Sequence, residues 1–197
     1  MPTLFILGGV NGAGKSTLAQ AMLRAPQFEG VAFLNADVNA ARLRAEQREL
    51  TIEAANFLGL RMVAEATERL LDDRRSFMTE TVLASVAHRT LALRARDAGY
   101  RVRLVYVAVA TVEDSIARVA RRVAKGGHDV PERDLRRRWD RSHETLTWFA
   151  RHADEVRVYD NSIYGRRPEL VARMADGRME FCRAERLPCV MTALAGL

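Results

Sequence analysis

Three glycines run directly into a lysine and a serine in the order Gly9-Val10-Asn11-Gly12-Ala13-Gly14-Lys15-Ser16, with Thr17 behind them. Glycines at this spacing let the backbone curl until successive N–H groups point inward. An anion nest then forms at the positive end of the helix that follows. Phosphate is its natural occupant. A lysine placed here reaches β- and γ-phosphates, and a serine hydroxyl ligates Mg²⁺, with Thr17 as a further hydroxyl donor. The order satisfies the P-loop pattern at every fixed position. A turn that merely joined strand to helix would explain the glycines but not the Lys-Ser pair. The ligand implied is ATP, or GTP, with Mg²⁺, held on Gly9, Asn11, Gly12, Ala13, Gly14, Lys15, Ser16 and Thr17.

Two acids follow apolar runs. Asn35-Ala36-Asp37 closes one run, and the carboxyl ends of parallel strands border the ligand crevice. Asp37 is open to two readings: a base that accepts the proton of an attacking hydroxyl or helps hold Mg²⁺, or a cap of a helix beginning near Asn39. Ser76-Phe77-Met78-Thr79 leads into Glu80-Thr81, so Glu80 is expected at the same edge, toward substrate or metal water. Thr81 either offers its hydroxyl to substrate or satisfies local backbone.

Arg118 and Arg122 are four residues apart and share a helix face, and Arg137 and Arg138 follow on the next predicted helix. Between them lies Lys125-Gly126-Gly127-His128-Asp129-Val130-Pro131, a hinge-like segment. Two arginine-bearing helices joined by glycines suit a closing lid over about 118–142, since planar, permanently charged donors stabilise the charge of a transferring phosphoryl group. The competing reading is a solvated basic face. His128, beside two glycines, reads as a loop residue before an acid, base or ligand.

The elements that must position these residues are legible as alternating segments. Apolar, β-rich runs fall at 3–7, 31–35, 76–79, 102–109 and 155–159. Helical periodicity covers 15–23, 51–71, 86–98, 114–124 and 131–150, with Gly99 and Gly126 placed as helix stops and Pro131 as a helix opener. Strands alternating with helices imply an α/β fold, a parallel sheet covered on both faces. One domain is expected over the 197 residues, of which 48% are hydrophobic. No apolar run approaches the roughly 20 residues of a membrane helix, the N-terminus enters a strand pattern directly, and a cytoplasmic protein is expected. Cys182 and Cys189 match no zinc or redox spacing. The formal net charge of +6 is concentrated between 114 and 142. Without interleaved aromatics, such a cluster suits a phosphorylated ligand better than a nucleic-acid surface.

Taken together, residues 9–17, Asn35-Ala36-Asp37, Glu80-Thr81, 126–132, Arg136-Arg137-Arg138 and Tyr159-Asp160-Asn161-Ser162 resemble the small zeta-toxin-like P-loop kinases of bacteria. The resemblance covers roughly 3–165. It implies a three-layer, nucleoside-kinase-like P-loop fold with parallel strand order 2-3-1-4-5 and an arginine lid. It further implies transfer of the ATP γ-phosphate to a hydroxyl of a small acceptor, in characterised zeta toxins UDP-N-acetylglucosamine, with an antitoxin protein as the expected partner. Carried over, Asp37 matches the catalytic base, assisted by Lys15, Arg118, Arg122 and Arg138. Glu80 and Thr81, with Asp37 and Arg137, match acceptor-binding positions, Ser16 the Mg²⁺ ligand, and Asp160 and Asn161 the loop near the adenine. Two alternatives remain: an acceptor that is a nucleic-acid end or aminoacyl-tRNA, and a nucleotide-dependent binding module without turnover.

Overall fold

The structure is a computed structural model that describes residues 1–127 and 129–195. Its centre is strand β1 (Thr3–Gly8), paired in parallel with β3 (Phe77–Glu80) on one side and β4 (Arg101–Ala108) on the other. β2 (Ala32–Leu34) extends the sheet beyond β3, and β5 (Glu155–Asp160) extends it beyond β4, both in parallel. These five strands have the order 2-3-1-4-5 that the family resemblance implies. The sheet goes on, however, through two antiparallel strands, β6 (Glu169–Ala175) and β7 (Arg178–Cys182), to seven strands in the order β2-β3-β1-β4-β5-β6-β7. The expectation of a purely parallel five-stranded sheet is corrected by this hairpin. Its turn is Asp176-Gly177, with φ of 50° and 72°, the positive values that a two-residue hairpin turn of the right twist demands.

The alternation along β1 and β4 makes three layers. Leu4 and Ile6, with Val102, Leu104 and Tyr106, belong to one apolar cluster, and Leu7, Val105 and Val107 belong to another. Successive side chains of a strand point to opposite faces, so both faces of these strands are buried and must be covered by helices. The covering helices are α1 (Lys15–Leu23), α2 (Ala36–Glu46), α3 (Ile52–Asp72), α4 (Ala87–Asp97), α5 (Val112–Val123), α6 (Glu132–His152) and α7 (Pro188–Leu194). Tyr106 and Phe149 are fully buried among them, and the Tyr106 hydroxyl is satisfied by Ser142 Oγ at 2.9 Å.

α5 ends in a tight motif. The N–H of Gly126 bonds to the carbonyl of Val123 and that of Gly127 to the carbonyl of Arg122, with Gly126 at φ 83°. A separate small cluster of Val119, Val130 and Leu135 then ties α5 to α6, so the two helices carry their own core. His128, singled out in the sequence, lies outside the described residues. No described helix is long and apolar enough to cross a membrane.

Candidate functional site

The phosphate loop leaves β1 at the middle of the sheet and ends at α1, whose N-cap is Gly14. Gly14 has φ 94°, and a Cβ there would lie 2.5 Å from Asn161 Nδ2, so only glycine fits. No side chain caps α1 and no acid stands in its first turn, which leaves its N–H groups for an anion. Asn161 holds the loop from the other side, its Nδ2 donating to Ala13 O at 2.7 Å. Asn11, Gly12, Gly14, Lys15, Ser16 and Thr17 line a cleft of about 1650 Å³, while Gly9 and Ala13 are buried behind it.

Lys15 is enclosed, and its Nζ donates to Val10 O at 3.1 Å. Burial pushes its pKa down from 10.5 to about 8, against the upward pull of Glu80 and Asp37 and with a smaller push from Arg122. An ammonium held this way is short of partners until an anion arrives.

A chain of polar contacts fixes the acidic side. Glu80, at the end of β3, accepts from Ser16 Oγ at 2.8 Å and from Asn35 Nδ2 at 2.9 Å. The same Asn35 amide accepts from the N–H groups of Asp37 and Val38 at 2.9 and 3.2 Å and so caps α2. One of the two sequence readings of Asp37 made it the cap of a helix beginning near Asn39. In the structure α2 starts at Ala36, Asn35 is the cap, and the Asp37 carboxylate has no hydrogen-bond or ion-pair partner among the described residues. Asp37 lines the cleft, facing the same space as Lys15. Thr81 lines it too, but its Oγ1 accepts from Leu83 N at 3.0 Å and lies 3.4 Å from His88 Nδ1, so its hydroxyl serves the turn through Leu83. His88, which the sequence reading passed over, is half-buried beside it, and desolvation lowers its pKa to about 4, an uncharged imidazole at neutral pH.

The arginines separate into two groups. Arg118 and Arg122 line the cleft, joined by Arg121, Lys125, Arg166 and Arg167, which the sequence reading did not select. Arg118 Nη2 donates to Asn161 O at 2.6 Å and to Ser162 O at 2.9 Å, so it straps the loop after β5 to α5, and Asn161 in turn joins that loop to the phosphate loop. Asp160 is not among the residues lining the cleft and accepts from Ser162 N at 2.8 Å, whereas Asn161 lines it. Arg137 and Arg138 do not line the cleft. Arg137 pairs with Asp134 at 2.9 Å, and both arginines sit on α6, none of whose residues line the cleft.

Mg²⁺ demands few protein ligands when phosphate oxygens supply the rest. Among the described residues there is no cluster of three or more His, Cys, Asp or Glu that would make an all-protein metal cage. Ser16 Oγ and the Glu80 carboxylate, already 2.8 Å apart at the mouth of the phosphate loop, fit the sparse set that such an ion needs.

The sequence model of the zeta toxin family matches residues 1–167. No curated protein matches the chain in sequence. Among solved structures, the AvrRxo1-ORF1:-ORF2 complex with ATP is similar at a TM-score of 0.72 and 17% identity, covering 94% of this chain and 62% of that one. The PezAT chromosomal toxin-antitoxin system of Streptococcus pneumoniae gives 0.64 and 18%, covering 82% and 68%. The Pnkp1/Rnl/Hen1 RNA repair complex gives 0.59 and 21%, covering 75% and 46%. The chain thus spans less than two thirds of the AvrRxo1 chain, and at these identities the likeness is one of fold: an α/β sheet flanked by helices, as in P-loop kinases.

Proposed function

Since the chain belongs to the zeta toxin family, we propose that it acts as an ATP-dependent phosphotransferase, moving the γ-phosphoryl group of ATP onto a hydroxyl of a small acceptor. One observation carries this reading. A single cleft gathers the phosphate loop with Lys15 and Ser16, the carboxylates of Asp37 and Glu80, and the cations of α5.

In the proposed reaction the loop amides and Lys15 bind the β- and γ-phosphates, and Arg122 addresses the charge that spreads over the transferring group. Asp37 takes the proton of the acceptor hydroxyl. The hydroxyl oxygen forms its bond to the γ-phosphorus as the bond from that phosphorus to the β–γ bridging oxygen breaks. The electron pair leaves on ADP, and the proton passes to the Asp37 carboxylate. Mg²⁺, held by Ser16 with Glu80 beside it, would neutralise part of the phosphate charge. Arg118 acts through the loop it straps, and α5 with α6 would close the cleft and exclude water. The nucleotide sugar suggested by the family resemblance, UDP-N-acetylglucosamine, is the first acceptor to test. An antitoxin partner belongs to the same proposal, since the pneumococcal neighbour comes from a toxin-antitoxin system.

The test is transfer of label from γ-labelled ATP to an offered alcohol, with Lys15→Ala as control. Transfer that depends on Lys15 supports the reading. Tight ATP binding with no transfer to any acceptor would reduce the chain to a nucleotide-dependent binding module, and undiminished transfer in Lys15→Ala would place the chemistry elsewhere.

A further inference from the structure

The flank of the cleft on the side of β4 and β5 is built against the phosphate loop itself. α5 reaches the loop through Ser115 Oγ, which donates to Asn11 O at 2.7 Å, and the segment after β5 reaches it through Asn161, whose Nδ2 donates to Ala13 O at 2.7 Å. In the phosphotransferase reading, Lys15, Ser16 and the carboxylates of Asp37 and Glu80 mark the γ-phosphate end of the nucleotide. Its other end therefore runs out along this flank, between α5 and residues 161–168. There Tyr164 lines the cleft with 74% of its surface exposed. The Arg121 guanidinium stands 5.7 Å from the centre of the Tyr164 ring, so one face of the ring carries a cation and the other is open.

We infer that Tyr164 and Arg121 form a base-stacking site that does not select adenine, so that guanine nucleotides bind at least as tightly as adenine nucleotides. The inference rests on the phosphotransferase reading above for where the nucleotide lies, and it widens the phosphoryl donor from ATP to purine triphosphates. Both purines present N7 as an acceptor, and adenine is singled out only where something accepts from its N6 amine. The acceptors on this flank already hold donors. Asn161 O and Ser162 O accept from Arg118 Nη2 at 2.6 and 2.9 Å, and Ile163 O accepts from Arg166 N at 3.3 Å. The Asp160 carboxylate accepts from both the N–H and the hydroxyl of Ser162. No Asp or Glu is among the described residues that line this flank. What it offers instead is donors: Lys125, Arg166 and Arg167 line it without an ion pair among the described residues. Cationic donors suit the O6 and N7 acceptors of guanine, whereas at the same edge of adenine they meet the amine. Stacking itself tolerates either base, because every base has a π-face, and a ring already lying under a guanidinium adds a cation to the stack.

The experiment is calorimetric titration of the whole chain with the Mg²⁺ complexes of AMP-PNP and GMP-PNP and, as a probe of the phosphate loop alone, with inorganic tripolyphosphate. GMP-PNP should match or exceed AMP-PNP. Tyr164→Ala, a change at an exposed side chain, should weaken both analogues by the same factor, about tenfold or more, and leave tripolyphosphate unchanged, while Tyr164→Phe, which keeps the ring, should bind as wild type does. AMP-PNP preferred over GMP-PNP by about threefold or more would overturn the inference. So would a Tyr164→Ala variant that binds the analogues as tightly as wild type, or one that loses tripolyphosphate in the same proportion. Protein that binds none of the three probes would sink the nucleotide reading itself. The titrations need no turnover, so the Lys15-dependent transfer of label decides the phosphotransferase reading separately, and the expected binding pattern without any transfer would leave the stacking site in place on a nucleotide-binding module.

Discussion

Lys15 pays for its position before any phosphate arrives, and the cost is measurable. Desolvation lowers its pKa from 10.5 to about 8 despite the nearby Glu80 and Asp37 carboxylates. At pH 7 about nine in ten of these lysines are charged, and at pH 9 about nine in ten are neutral. The second ionisation of a terminal phosphate, with a pKa near ~6, is complete well below that range. Bound phosphates favour the ammonium and restore its pKa toward the ordinary value, so nucleotide binding at pH 9 should take up close to one proton, and at pH 7 about a tenth of one. The apparent Kd for Mg²⁺·AMP-PNP should accordingly rise toward tenfold per pH unit above about 8.5. Calorimetry in two buffers of different ionisation enthalpy reads the uptake directly: the heats should agree at pH 7 and diverge at pH 9. Lys15→Met should abolish the divergence. The unliganded fold follows the same linkage. Its lysine pKa lies below that of the unfolded chain, so the unfolded chain binds more protons between about 8 and 10.5. Stability should therefore rise across that window, and below it the whole penalty, about 3 kcal/mol, is present. Buffer-independent heats at pH 9 in wild type, with nucleotide bound, would refute the enclosed-lysine account.

Three further outcomes follow from the contacts. Asp37→Asn should lower turnover by roughly 10²-fold or more while leaving AMP-PNP affinity and the melting temperature nearly unchanged, because Asn35 and not Asp37 caps α2; wild-type turnover would end the base assignment. Arg118→Gln should chiefly raise KM for ATP, since it releases the carbonyls of Asn161 and Ser162, whereas Arg122→Gln should chiefly lower kcat; the same kinetic signature in both variants would defeat the division of roles. Asn35→Ala should cost about 1 kcal/mol for the lost cap, a drop of about 2–4 °C in Tm, and should also lower turnover by freeing Glu80; a melt shift without any kinetic change would show that Glu80 needs no such support.

What could be read in the sequence divides along physical lines. Five parallel strands and five helices were legible because their apolar residues are periodic and their ends carry Gly or Pro. α1 begins at Lys15 and α5 stops before Gly126 as the sequence predicts. α2 was not legible, since Ala36–Glu46 buries only Ala40 and owes its existence to the Asn35 cap and its packing on α3. The β6–β7 hairpin did announce itself, in Asp176-Gly177 between alternating segments, a signal the sequence reading overlooked. At the site, the phosphate loop is local in sequence and was read whole. Arg166 and Arg167 were missed because nothing local to 161–168 tells that β5 delivers them to a cleft formed by β1. Arg137 and Arg138 were chosen on charge, on the hinge before their helix and on the resemblance, none of which fixes which face of a 21-residue helix meets the cleft.

The division of charge in the cleft is itself a consequence of the strand order. β1 lies between β3 and β4, so the phosphate loop that follows β1 must sit between whatever follows those two strands. After β3 comes Glu80, fastened to Ser16 and Asn35, and through Asn35 the cap that sets Asp37 at the first turn of α2. After β4 comes α5, which carries Arg118 and Arg122 one turn apart on the opposite flank. A phosphoryl group in transit then has an acceptor-side base on one side and permanent cations on the other, with loop amides beneath. Exchanging the two flanks would place the cations beside the attacking hydroxyl and the carboxylates against ATP, where like charges repel. The order 2-3-1-4-5 therefore fixes more than packing: it sets the carboxylates of Glu80 and Asp37 on one flank of the phosphate loop and the arginines of α5 on the other.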